Sequence, residues 1–214
     1  MVCSRPIICH GIFNPGTNPM LRLCPDRPLP PYSYVPGRFP HPIRDPSGHS
    51  YKAPGIRQET HRPSLTAPVS LASDWKPASD YLFGIDLFNH GFYWEAHETW
   101  EQLWLEFGRS GRDADFIKGL IKLAAAGVKA REGRPIGVQR HACRAQELFR
   151  LVLHTLTDND EAVRFGGMDL TSLCQAADAI AADSVRIVER SEDHLMAALP
   201  LRLSPADTES PEPI

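Results

Sequence analysis

The sequence predicts an all-α protein, a compact bundle of about five helices with a proline-rich irregular N-terminal arm and a short disordered polar tail. Three observations carry that expectation. Fifteen of the 20 prolines lie in residues 1–80 and only five in the remainder, and dense prolines, with φ fixed and no N–H to donate, block helix and central strand. From Tyr81 onward apolar residues recur at three and four positions, the spacing of a helix face. No segment alternates polar and apolar residues over the length of a strand, which leaves helix-on-helix packing as the architecture.

The arm is expected over residues 1–78, with Met20 an alternative start that would make 1–19 dispensable. Tyr32, Tyr34, Phe39, His41, His49 and Tyr51 give it more aromatic content than a solvated linker carries. Part of it is therefore expected to lie on the surface of the domain. The bundle is expected over 79–192. Ser79 or Asp80 can cap a first helix to about Asn89, and Gly91 can end it in the left-handed conformation. A second helix runs from Phe92 to about Phe107 and breaks at Gly108-Arg109-Ser110-Gly111. Asp113 then caps a third helix through Arg131, stopped by Gly133, and Pro135 opens a fourth, to about Leu156, from the position where a helix tolerates proline best. Asp158 to Gly167 reads as a loop. Leu170, Leu173, Ala177, Ile180, Ser184 and Ile187 mark a fifth helix capped by Asp169, and residues 193–214 form the tail.

Composition excludes several function classes. Residues 1–80 carry nine Lys+Arg against five Asp+Glu and the rest 14 against 21, a split of +4 and −7 that gives the net −3. Without a global basic excess, nucleic acid is not an expected partner. No apolar run reaches the roughly 18 residues of a membrane span, and no secretory h-region is evident, so a cytoplasmic location is expected. Cysteines at 3, 9, 24, 143 and 174 include no C-x-x-C pair and are expected as free thiols.

Chemistry concentrates in the second helix. Residues 81–107 hold nine of the 18 aromatics and five acids, with no Lys or Arg. At about 100° per residue, Trp94, His97, Glu98, Glu101 and Leu105 share one side, and Ala96, Trp100, Leu103 and Phe107 the other. Both sides are apolar enough to be buried, and buried carboxylates need partners. His97-Glu98-Thr99-Trp100-Glu101 has the spacing H-E-x-x-E, in which His97 and Glu101 can share a divalent metal ion while Glu98 serves as base toward water. The Glu-x-x-His pattern of ferritin-like sites is excluded, because Trp94 stands three before His97. Against a metal stands simple neutralisation: His97 with Glu101 along the helix, and Glu98 and Glu101 with Lys118 and Lys122 of the third helix. Lys118 and Lys122 can equally bind an anion beside the carboxylates. His141 on the fourth helix, and His41, Asp45 and His49 on the arm, are further candidates for the same cleft.

The run Asp86-Leu87-Phe88-Asn89, Gly91-Phe92-Tyr93-Trp94-Glu95-Ala96-His97-Glu98, Trp100-Glu101 and Leu103-Trp104, continued by Phe116-Ile117-Lys118-Gly119-Leu120-Ile121-Lys122-Leu123-Ala124-Ala125, resembles the signature of the domain of unknown function 309 family. The resemblance covers about Tyr81 to Leu156. It implies a small all-α bundle described as a predicted metal-dependent hydrolase acting on an unidentified small molecule, with Glu95, His97, Glu98 and Glu101 at the family's Glu-x-His-Glu and following Glu. The arm resembles extensions in a subset of such proteins, around Pro30-Pro31-Tyr32 and Gly48-His49-Ser50-Tyr51. Three functions follow as expectations: a metal-dependent hydrolase; a non-catalytic structural or interaction module whose Glu and His residues pair with lysines of the next helix; and polyanion binding through the basic stretch from Lys118 to Arg150.

Overall fold

The computed structural model describes residues 22–53, 70–72, 74–76, 78–156, 163–191 and 197–206. Its fold is an all-α bundle of six helices with one very short hairpin: α1 (Ser79–Asn89), α2 (Tyr93–Glu106), α3 (Arg112–Arg131), α4 (Pro135–Leu153), β1 (Arg164–Phe165), β2 (Met168–Asp169), α5 (Leu170–Ala182) and α6 (Ser184–Arg190). Successive helices from α1 to α5 pack on their neighbours, and α3 sits between α2 and α4, which have little direct contact with each other.

Short glycine turns set this order. Gly91 (φ +79°) lies between α1 and α2, Gly108 and Gly111 (φ +74° and +92°) between α2 and α3, and Gly133 (φ +73°) between α3 and α4, all in the left-handed region that glycine tolerates best. Pro135 starts α4 as expected, and the Asp169 carboxylate accepts from Ser172 N–H at 2.6 Å to cap α5. The core is aromatic where α1 meets α2. Trp100 is fully buried, donates its indole N–H to the Tyr81 carbonyl at 3.2 Å, and lies against Gly84, where a Cβ would overlap its ring. Gly127 of α3 gives the Tyr93 ring the same close approach, and Gly119 admits Phe149 of α4.

The structure departs from the sequence reading at five places. Neither Ser79 nor Asp80 caps α1; Ala78 holds the N-cap, without a side-chain hydrogen bond. Asp113 does not cap α3; Gly111 holds the N-cap, and the Asp113 carboxylate accepts from Leu71 N–H at 2.6 Å and from Ser70 Oγ. The expected fifth helix is two helices, divided at Asp183. The expected loop ends in β1, which pairs antiparallel with β2 just beyond it through a turn at Gly166-Gly167, where both φ are positive; two two-residue strands leave no alternation to detect, and residues 158–162 of that loop lie outside the described residues. Residues 197–206 of the tail pack on the bundle, with Leu199 and Leu203 buried, Leu199 N–H on Tyr93 Oη at 3.0 Å, and Leu203 exchanging backbone bonds with the Asn89 side chain at 2.8 Å each. Residues 1–21 and 207–214, which carry the alternative start at Met20 and the end of the tail, lie outside the described residues. Cys24, Cys143 and Cys174 are free thiols. No helix among the described residues is long and apolar enough to cross a membrane.

Candidate metal centre

The polar face of α2 carries the cluster. His97, Glu98 and Glu101 occupy positions i, i+1 and i+4, which a 3.6-residue turn brings to one side. Each offers one donor atom, and the three donors lie within 4.8 Å of one another, all on half-buried residues. That corrects the expectation that both sides of this helix are buried: the opposite side is, with Ala96 and Trp100 at 0% exposure, whereas Leu105 on the cluster side is 37% exposed. One turn is therefore fixed in the core while its polar side remains open to a ligand.

The expected neutralisation is not formed among the described residues. His97 Nδ1 faces Glu98 Oε1 at 3.6 Å rather than Glu101, a separation too long for a hydrogen bond. Nδ1 is buried and has no hydrogen-bond partner, a state that costs about 1–3 kcal/mol when nothing compensates. Neither Lys118 nor Lys122 makes an ion pair with Glu98 or Glu101; Lys118 instead lies 5.1 Å above the Trp104 ring. One imidazole and two carboxylates, with an orphaned imidazole nitrogen among them, fit the donor preference of zinc and similar divalent ions. The 4.8 Å spread exceeds the roughly 3.3 Å between neighbouring ligands of a tetrahedral site, and half-exposed side chains have the freedom to close it.

The other candidates divide into two groups. His141 of α4 is within electrostatic reach of His97: burial first, then the charges of Lys122, Lys129 and His97, hold its pKa below the ordinary imidazole value. It thus stands within electrostatic reach of both His97 and Lys122. The arm candidates do not join it. His41 Nδ1 accepts from Ile43 N–H at 3.2 Å, and its ring lies tilted against Tyr34 and edge-on to Trp94. Asp45 Oδ1 accepts from Ser47 N–H at 2.8 Å within a turn. His49 Nε2 lies 3.1 Å from Glu95 Oε1. His41 and His49 are spent on docking the arm, and Asp45 on shaping one of its turns, because proline-rich chain supplies few backbone bonds of its own.

Glu95 consequently belongs to the arm rather than to the cluster. It is 6% exposed, and its Oε1 accepts Tyr34 N–H at 2.9 Å as well as meeting His49. Burial drives its pKa upward, partly offset by the Tyr34 N–H and by His49. A second arm anchor was not found by sequence reasoning. Asp86, 1% exposed, accepts Leu23 N–H and Cys24 N–H on its two oxygens at 2.8 Å each and lies 3.7 Å from Arg22 Nε. The available signal was a lone acid within Phe83-Gly84-Ile85-Asp86-Leu87-Phe88, where an unpaired carboxylate would be untenable.

Residues 81–141 match the family model described as Domain of unknown function (DUF309). No curated protein and no solved structure matches the chain.

Proposed function

We propose, for a chain that carries the DUF309 domain over residues 81–141, that it is a metal-dependent hydrolase in which His97 and Glu101 hold a divalent ion and Glu98 stands beside them. The observation that supports this reading best is the convergence of three donor atoms within 4.8 Å on one open helix face. The orphaned Nδ1 of His97 gives it independent weight.

A divalent ion bound by such donors lowers the pKa of water and polarises a scissile carbonyl or phosphoryl oxygen. The residues of this chain supply the rest. His97 and Glu101 are separated by one helical turn, so the rigid backbone of α2 sets their spacing. Glu98, with its side chain 34% exposed, is open enough to receive substrate water and serves as the base that takes its proton. Burial and the charges of Lys122, Lys129 and His97 favour the neutral form of His141.

Glu98→Gln tests the assignment, since the amide keeps the shape and removes the basicity. The variant is expected to retain the ion and to lose roughly 10²-fold or more of metal-dependent ester hydrolysis in a substrate screen. Loss of the ion with the activity would make Glu98 a ligand instead of the base. Unchanged turnover would overturn the hydrolase reading.

A non-catalytic helical module is the second reading, and the use of Asp86 and Glu95 to bind arm backbone favours it. Under it, Glu98→Gln shifts only the melting temperature. Polyanion binding has less support, because Arg144, Arg150 and Lys129 of the basic stretch are paired with Glu147, Asp178 and Glu132.

A further inference from the structure

The groove over α3 combines three features that neutralisation of the acids does not explain. First, α2 and α4 flank α3 with little direct contact between them, so the α3 stripe of Lys118, Lys122 and Ala125, all half-buried, lies between two ridges. Second, Lys118 and Lys122 form no ion pair among the described residues, whereas Lys129 on the same stripe is paired with Glu132 at 2.7 Å. Third, Trp104, whose ring carries Lys118 at 5.1 Å and Arg109 at 5.8 Å, has a buried indole N–H without an acceptor. The cationic end of the groove is thus rich in donors and short of acceptors.

Register brings this end to the metal cluster. Gly127 packs on Tyr93, so in the antiparallel α2–α3 pair Lys122 stands near the level of Glu98 to Trp100 and Lys118 near Trp104. Charge then selects the ligand. Glu98 and Glu101 contribute −2 and the two lysines +2, so a bound divalent ion leaves a surplus of at least two positive charges, with Arg109 over the Trp104 ring adding to it. A dianion matches that surplus; a neutral ester or peptide does not.

We infer that Lys118 and Lys122, with the indole N–H of Trp104, form an anion subsite beside His97, Glu98 and Glu101, and that the substrate is a phosphomonoester. The inference rests on the reading of that cluster as an ion site. In the reaction, water adds its oxygen to phosphorus and the ester P–O bond breaks. The proton that Glu98 takes from the water ends, by way of solvent, on the departing alcohol oxygen, while the second proton stays on the phosphate released. The products are inorganic phosphate and an alcohol. The lysines bind and orient the phosphoryl oxygens and hold the ester against the cluster.

Calorimetric titration of the full chain with inorganic phosphate, with and without manganese, tests this without recourse to turnover. Wild-type protein is expected to bind phosphate more tightly with manganese present. Lys122→Gln and Lys118→Gln are each expected to weaken it at least tenfold and leave manganese binding intact, and Lys52→Gln, on the exposed arm, to have no effect. Phenyl phosphate is expected to compete for the same site. Equal binding by wild type and Lys122→Gln, equal weakening by Lys52→Gln, or exclusion of phenyl phosphate would overturn the subsite. Phosphate binding that depends on Lys122 but not on manganese would uphold the lysines and remove the ion, which separates this inference from the reading beneath it.

Discussion

At Glu95 a single carboxylate oxygen holds one backbone N–H and one imidazole of the arm. That oxygen, Oε1, ties Tyr34 and His49 of the arm to α2, while Oε2 is buried without a partner. Because burial raises its pKa above the unfolded value, the folded protein holds the proton more tightly, so stability contributed by the protonated form is lost as pH rises through the raised value. Glu95→Gln is expected to flatten the melting temperature across that window. His141 has the opposite sign. Its folded pKa is depressed, so the unfolded chain takes the proton first and stability falls as pH drops below about 6.5, the ordinary imidazole value. Melting curves of His141→Gln should therefore exceed those of wild type at mildly acidic pH and converge with them in weakly alkaline buffer. A wild-type acid profile in that variant would contradict the depressed value.

The elements are held by contacts of two kinds, and each has a substitution that isolates it. The α1–α2 pair depends on close approach at Gly84, and Gly84→Ala drives a Cβ into the Trp100 indole. Overpacking of that sort is expected to cost about 1–3 kcal/mol, measured by denaturant unfolding. The arm depends on Asp86. Asp86→Ala leaves Leu23 and Cys24 N–H groups without their acceptor and is expected to cost about 3 kcal/mol, at the level of two hydrogen bonds to a charged group. Limited proteolysis should then cut within residues 22–53 far sooner than in wild type. Equal protection of the arm in both proteins would mean that its anchorage lies elsewhere.

Across the whole molecule, what could be read from the sequence was what is local. The helices from α1 to α4 announce themselves by period and by Gly and Pro at their ends, and His97, Glu98 and Glu101 meet because five consecutive residues on one helix suffice to bring them together. Contacts between distant segments could not be read in the same way. Glu95 and His49 were each evident as chemically apt residues, yet only the folded chain pairs them across 46 positions. Asp113 offered a capping signal and was taken by Leu71. Leu199 and Leu203, in a segment read as polar tail, are buried because Tyr93 and Asn89 offer that short stretch hydrogen bonds. The central claim rests on the local part, the open cluster on α2. Titrating chelator-stripped protein with zinc or manganese tests it most directly: wild type should take up about one ion per chain, and His97→Ala and Glu101→Gln should each lose it while keeping the helical spectrum. Failure of wild type to bind either ion, or undiminished binding by both variants, would contradict the account.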